Sequence, residues 1–219
     1  MKVRKNNKPI KRLTFGIGIL LVVTGSTGIF LYLKDRQNAI TPIKVTPTNT
    51  VVQSSDTPSE APVSPNDFAN VPADQPREIK IPAIKVEGYI QKVGIDQDNQ
   101  IAVPDNIYLA GWYTNSVKPG EKGLSVIDGH VLGRYNDAIF KNLVNLKLGN
   151  TFSVIYGDNS EKLFQVKEVK TLPVNETISY LMQSDPAIQK QLNLITCGGN
   201  FDKTSQQYDM RVVVKSEAI

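Results

Sequence analysis

The first third of the chain carries two hydropathy patterns that differ from the rest of its 219 residues. Met1 to Arg12 contains six Lys or Arg residues and no acid, and the 21 residues from Leu13 to Leu33 carry no charge. A helix of about 20 apolar residues spans a bilayer, so residues 13–33 are predicted to be a transmembrane anchor. A cleaved signal peptide is the alternative, because Thr24 to Gly28 is small and polar like a cleavage site. Positively charged flanking segments stay in the cytoplasm, so residues 1–12 are expected on the cytoplasmic side of the cell membrane and the chain after the anchor on the outer side.

Residues 34–76 are predicted to be a disordered linker. Seven of the thirteen prolines and nine Ser or Thr residues lie between Gln37 and Pro76, with few large apolar side chains. Such a composition buries too little apolar surface to offset the cost of ordering the chain. We expect a spacer that holds the following domain away from the membrane.

Residues 77–219 show short apolar runs separated by Gly, Pro, Asp and Asn, a pattern typical of β-strands. The predicted strands are Glu78–Ile81, Gly88–Val93, Gln100–Val103, Gly123–Val131, Thr151–Tyr156, Lys162–Lys170, Leu192–Cys197 and Tyr208–Lys215. Helical patterns are limited to Asp137–Leu146 and to Glu176–Gln191, which Pro186 interrupts. Eight strands with so little helix predict a mainly β fold, a single closed or nearly closed β-barrel.

Charge and ligand counts exclude two classes of function. The net charge is +4, but residues 77–219 contain 16 basic and 16 acidic residues, so the domain is neutral and no nucleic acid is implied. One Cys and one His are too few for a structural zinc site. The run Asp96-Gln97-Asp98-Asn99 is expected to be a solvated turn rather than a calcium site. No cofactor and no metal are predicted.

Cys197, the only cysteine, ends a β-prone run and is followed by Gly198 and Gly199. It is either a buried, inert thiol or a nucleophile at the end of a strand. The next strand is close enough in sequence to pair back antiparallel and to bring Arg211 beside Cys197. A neighbouring cation lowers the pKa of a thiol, which favours the nucleophile.

His130 is the only histidine, and it lies at the end of a predicted strand. The two-residue period places it on the same face as Asp128. Two such side chains cannot both lie in an apolar core without partners, so this end of the strand is expected to face a cleft or water. No Asp or Asn that orients His130 can be assigned from spacing.

Three of these segments resemble the sortases, the cysteine transpeptidases of Gram-positive cell surfaces. Leu194-Ile195-Thr196-Cys197 resembles their Leu-x-Thr-Cys signature, and Ser125 to Val131 resembles their Gly-His strand. Arg211, fourteen residues after the cysteine, is similar in position to their catalytic arginine. Asn200-Phe201-Asp202 and Gly111-Trp112-Tyr113 most resemble the class F sortases, and class D or E is the next most similar.

The resemblance covers residues 77–219 and implies a β-barrel enzyme that acts through Cys197, His130 and Arg211. It implies cleavage of a Leu-Pro-x-Thr-Gly-type sorting signal between Thr and Gly, and transfer of the surface protein to a peptidoglycan precursor or another amine acceptor. It also implies substrate contacts by Thr196 and Ile195 beside the nucleophile; the alternative for Thr196 is that it is only a β-branched residue that favours a strand. The apolar residues of the 172–191 segment would hold the apolar half of the signal, or would form a satellite core cluster; they include Leu172, Pro173 and Leu181.

Two other functions stay open on the residues alone. The first is a non-catalytic, wall-binding β-barrel on a membrane tether, with Cys197 buried and inert. The second is a cysteine hydrolase that releases surface proteins, in which water replaces the acceptor amine. Thiol alkylation separates the first from an enzyme, and the effect of added amine on the product separates the second.

Overall fold

The computed structural model describes residues 57 to 219, and its main feature is a barrel of eight β-strands. The strands are β1 (Pro76–Ile81), β2 (Val86–Val93), β3 (Ala110–Tyr113), β4 (Gly123–Gly129), β5 (Thr151–Tyr156), β6 (Glu161–Pro173), β7 (Lys190–Asp202) and β8 (Gln207–Ala218). One α-helix, α1 (Val174–Leu181), and three short 3-10 helices complete the regular structure of this part of the chain. The predicted fold class, a mainly β barrel with short helices, is confirmed.

The strands follow the order β1-β2-β3-β4-β7-β8-β6-β5, and β5 pairs with β1 to close the barrel. Within residues 57–219, only the pairs β2–β3 and β4–β7 are parallel. Parallel neighbours need a long connection, and between β4 and β7 the chain forms β5, β6 and α1. This crossover places the end of β4, which is followed directly by His130, beside the strand β7 that carries Cys197.

The main core is built from alternate residues of the strands. Ile79 and Ile81 of β1 and Leu194 of β7 are fully buried in it. The rings of Phe152 and Phe164, from β5 and β6, stack with centroids 5.4 Å apart. Alternation leaves the other residues of each strand on the outer face of the barrel.

A second apolar cluster covers part of the outer face of β4 and β8. Val126 of β4, Val213 of β8 and Leu181 of α1 are buried in it, and Ile195 and Tyr180 pack against it. The helix therefore closes over the outside of the barrel. The side chains of the predicted site lie on this same outer face.

One strand differs from the prediction. Gln100–Val103 is not a strand but forms only a single bridge, from Ile101 to Ile95, whereas Ala110–Tyr113 forms β3. The missed strand has only four residues and contains Gly111, which normally weakens a strand. Here a Cβ at Gly111 would clash with the carboxylate of Asp128 on the neighbouring strand β4, so position 111 of β3 requires a glycine.

The two predicted helical segments are also shorter than expected. Asp137–Leu146 contains only the 3-10 helix Leu143–Asn145, and Glu176–Gln191 is replaced by α1 and then by the start of β7 at Lys190. α1 ends at Leu181, five residues before Pro186. Leu143 and Leu146 are buried in the main core. The apolar spacing that suggested a helix therefore reflects the packing of this segment against the core.

Residues 57–75 differ from the prediction of a disordered linker, because they bind along the outside of the barrel. Ser59 forms a parallel bridge with Asn106, and the ring of Phe68 stacks on that of Tyr89 with centroids 4.6 Å apart. Lys118 binds Asp74 across 2.5 Å. Composition missed these contacts because they use single residues with distant partners. We call residues 57 to 61 the N-terminal strap.

The predicted cytoplasmic segment 1–12, the anchor 13–33 and most of the linker lie outside the described residues. Within residues 57–219, no helix combines the length and the apolar character that crossing a membrane requires.

Candidate active site

Cys197 and Arg211 face each other across β7 and β8. The two residues are direct partners in the antiparallel register, as the sequence predicted. Both lie on the outer face, because the adjacent pair, Thr196 and Val212, is buried and Val212 belongs to the main core inside the barrel. Cys197 is a free thiol and is partly exposed.

His130 follows β4, the strand that pairs with β7 on the side opposite to β8. Asp128 of β4 pairs with Ile195 of β7, and the hydroxyl of Thr196 donates to the carbonyl of Gly129 across 2.7 Å. Extending this parallel register by two residues, past the end of β4 at Gly129, would align His130 with Cys197. Cys197 and Arg211 are therefore partners on β7 and β8, and His130 follows the adjacent strand β4, although the three residues span 82 residues of sequence from first to last. We refer to these three residues as the row of site residues.

Backbone carbonyls orient the two basic side chains. Nη1 of Arg211 donates to the carbonyls of Tyr208 and Met210, each across 2.9 Å. Nε2 of His130 lies 2.7 Å from the carbonyl of Pro104. A carbonyl only accepts, so Nε2 carries a proton and Nδ1 is the nitrogen left for proton exchange. Sequence spacing had assigned no orienting group to His130, because a backbone carbonyl leaves no signal in the sequence.

The comparisons with known proteins agree with this geometry. A family model described as the sortase domain matches residues 79–219, which is more than half of the chain. The chain belongs to the sortase family. No curated protein matched in the corresponding sequence search.

Solved structures show the sortase fold as well. The lid mutant of sortase A from Corynebacterium diphtheriae is 21% identical, with 74% of this chain and 84% of that chain covered and a TM-score of 0.52. Sortase C-1 from Actinomyces oris is 22% identical, with 80% of this chain and 90% of that chain covered and a TM-score of 0.50. The match to sortase A from Corynebacterium diphtheriae is 21% identical and covers 68% of this chain but only 63% of that protein, with a TM-score of 0.49. These structures are sortases of types A and C, and class F stays a prediction.

Burial dominates the electrostatics of this sortase site. Burial raises the pKa of the Cys197 thiol, Arg211 lowers it, and the carboxyl of Asp128 raises it, with a net increase. Burial also lowers the pKa of His130, against the opposing effect of its hydrogen bond to Pro104. Thiol and imidazole are therefore both mainly neutral near pH 7.

Asp128 is the unexpected residue of the site. It is 5% exposed, and among the described residues its Oδ1 has no hydrogen-bond partner. Burial raises the pKa of this carboxyl well above its ordinary value. The expectation that this end of β4 opens to a cleft or water is wrong for Asp128, because Gly111 leaves space for its side chain beneath the surface.

The residues that the resemblance assigned to the substrate occupy different positions. Leu172 is the β6 partner of Arg211 and is partly exposed, as is Pro173, so both lie at the edge of the row. Thr196 is buried and uses its hydroxyl on Gly129, and Ile195 packs against the second cluster. Leu181 is only 2% exposed in that cluster, which favours the satellite-core alternative for this residue.

Within residues 57–219, no three His, Cys, Asp or Glu side chains cluster as metal ligands would. In the turn at Asp96, the carboxylate accepts from the backbone N–H groups of Asp98 and Gln100, each across 2.9 Å. Its oxygen thus serves the turn itself.

Proposed function

We propose that this chain is a cell-wall transpeptidase that uses Cys197 as its nucleophile. It cleaves a Leu-Pro-x-Thr-Gly-type signal between Thr and Gly and transfers the surface protein to an amine of a peptidoglycan precursor or another acceptor. The observation that carries the proposal is the pairing of Cys197 with Arg211 on the outer face of the barrel, beside the end of β4 from which the chain continues to His130. Membership of the sortase family supports the same reaction.

In the first step, the Cys197 thiolate attacks the Thr carbonyl carbon and forms the C–S bond. The guanidinium of Arg211, held by two backbone carbonyls, stabilises the negative charge that develops on the carbonyl oxygen. The C–N bond then breaks, and imidazolium His130 gives its Nδ1 proton to the leaving Gly amine. The products are a thioester between Thr and Cys197 and the released carboxyl-terminal fragment, which begins with the free amine of Gly.

In the second step, the acceptor amine attacks the thioester and His130 takes the proton that this amine loses. The C–S bond breaks, the new amide is released, and Cys197 returns as thiolate. The pKa directions at Cys197 and His130 imply that the thiolate–imidazolium form is a minority of the enzyme at neutral pH. Catalysis then proceeds through this small fraction, which interconverts rapidly with the neutral form.

We also propose a location for the enzyme. Residues 13–33 anchor it in the cell membrane as a single span, with the basic segment 1–12 in the cytoplasm and the barrel outside. Its partners are surface proteins with a C-terminal sorting signal, the amine acceptor and the membrane lipid around the anchor. Protease treatment of intact cells tests this: the barrel should be digested while a tag placed before Met1 stays protected.

A non-catalytic wall-binding barrel is the second candidate. It requires an inert thiol, but Cys197 is partly exposed and lies beside Arg211. We expect Cys197 of the folded protein to react with iodoacetamide, and a thiol that reacts only after unfolding would support the binding protein instead.

Product analysis tests the reaction itself. The full chain is incubated with a Leu-Pro-x-Thr-Gly peptide and an amine acceptor, and the products are identified by mass spectrometry. We expect an amide between Thr and the acceptor, and no product from Cys197→Ala. A product ending in free Thr at every amine concentration would indicate the hydrolase, and equal activity in Cys197→Ala would refute the nucleophile.

A further inference from the structure

His130 follows the last residue of β4, so two loops rather than the barrel determine its orientation. The Pro104 loop, residues 94–109, supplies the carbonyl that binds Nε2. The His130 loop, residues 130–142, folds back so that the N–H of Phe140 donates to the carbonyl of His130 across 3.0 Å. Any group that joins these two loops limits the movement of the imidazole.

The N-terminal strap binds the Pro104 loop through its backbone. The N–H of Ser59 donates to the carbonyl of Asp105 across 2.7 Å, and the N–H of Ile107 donates to the carbonyl of Ser59 across 3.0 Å. The side-chain amide of Asn106 adds a bond of 2.9 Å to the carbonyl of Ala61. These contacts begin at the residue next to Pro104.

Glu60 of the same strap binds the His130 loop. Its carboxylate accepts from the backbone N–H of Arg134, from that of Tyr135 across 3.1 Å, and from Nδ2 of Asn136 across 2.6 Å. A Cβ at Gly133 would lie 2.6 Å from Oε1, so the loop approaches the carboxylate as closely as a glycine allows. A carboxylate that accepts several such bonds is held far more firmly than one in a surface ion pair.

We propose that Glu60 is a positioning residue for His130: it connects the two loops that hold the imidazole, and so keeps Nδ1 aligned with Cys197. The inference rests on the proposed function only in assigning His130 a proton-transfer role. It also extends the catalytic unit beyond the family match, which begins at residue 79, to include the strap.

The test uses the full chain in detergent micelles, in which His130 gives the only imidazole signal because it is the only histidine. We expect Glu60→Ala to lower kcat about 10- to 100-fold with KM within about twofold, as for a misplaced catalytic group. The imidazole resonances should broaden or shift, and the pKa of His130 should rise toward its ordinary value of about 6.5 as the ring becomes solvated.

Gly133→Ala provides an independent variant, because it displaces the His130 loop from Glu60 without removing a charge. It should reproduce the kcat and imidazole changes, and the double variant should be no worse than either single one. Asp74→Asn is the matched control, because it removes an exposed carboxylate that also precedes β1 but binds Lys118 and not these loops. It should leave kcat and the imidazole signals unchanged.

An unchanged His130 titration and unchanged kcat in Glu60→Ala would overturn the inference. A loss of kcat equal to that of Asp74→Asn would assign the strap a general stabilising role and would overturn it as well. If the wild-type chain shows no transpeptidation, the proposed function fails, but the imidazole titration still decides whether Glu60 positions His130.

Discussion

At the scale of single residues, the Cys197 thiol is subject to opposing influences. Burial and Asp128 raise its pKa, and Arg211 lowers it. Among the described residues, Arg211 is thus the charge that stabilises the thiolate. Two backbone carbonyls accept hydrogen bonds from its guanidinium and hold this charge in place. Cys197, His130 and Arg211 could be selected as candidates from the sequence because their residue types are rare or their spacing is specific, and the pairing of Cys197 with Arg211 is confirmed. Their catalytic roles stay a prediction. Asp128 could not, since its burial depends on the space left by Gly111 on another strand.

Replacing Arg211 should slow the chemistry of the free thiol. Without the guanidinium, the pKa of Cys197 rises, and one pKa unit lowers the thiolate fraction at pH 7 about tenfold. We expect Arg211→Ala to react with iodoacetamide about tenfold more slowly than wild type, and Arg211→Lys, which keeps the charge, to stay within about threefold. Equal rates in wild type and Arg211→Ala would show that the cation does not act on the thiol.

Asp128 should make stability depend on pH. Its carboxyl has a raised pKa in the folded state, so the folded protein retains a proton that the unfolded chain loses above about pH 4. This contribution is fully present below the unfolded pKa and is lost as pH rises through the folded pKa. Relative to wild type, Asp128→Asn should therefore gain unfolding free energy between pH 4 and pH 8, measured by urea titration. A difference that is constant across this range would contradict a buried, neutral carboxyl.

At the scale of elements, the β7–β8 hairpin brings the nucleophile and the arginine together. The pairing could be predicted because both strands are apolar and the connection is short, which leaves antiparallel return as the simple solution. The irregularity between Gly198 and Phe201 was not predicted. There Gly199 has φ 77°, and Asp209 accepts the N–H of Asn200 across 2.7 Å. The pairing of β7 with β8 is thus interrupted shortly after Cys197.

Gly199→Ala tests how closely this hairpin is packed. A Cβ there would clash with the Asp209 carboxylate and the Met210 side chain, in addition to the cost of a positive φ. We expect a loss of unfolding free energy of about 2 kcal/mol or more. Gly149→Ala is the matched control, because Gly149 also has a positive φ of 85° but nothing within 4 Å of the new Cβ. The two variants should differ, and equal losses would show that backbone strain alone accounts for both.

At the scale of the whole molecule, the two faces of the barrel have different roles. The inner face forms the main core, and the outer face of β4, β7 and β8 carries the second cluster and the row of site residues. The mainly β class and the two barrel faces could be predicted, because both follow from two-residue periodicity. The strap, β3 and the carbonyl of Pro104 could not, because each depends on contacts between segments that are distant in sequence.

We propose above that Cys197 carries the acyl group of the sorting signal between the two steps of the reaction. Intact-mass spectrometry of the full chain, mixed with a Leu-Pro-x-Thr-Gly peptide without acceptor and quenched in acid, measures this directly. We predict a mass increase equal to the acyl fragment ending in Thr, located on Cys197 and removed by hydroxylamine. Peptide cleavage without any adduct on Cys197, or an adduct that persists in Cys197→Ala, would contradict the account.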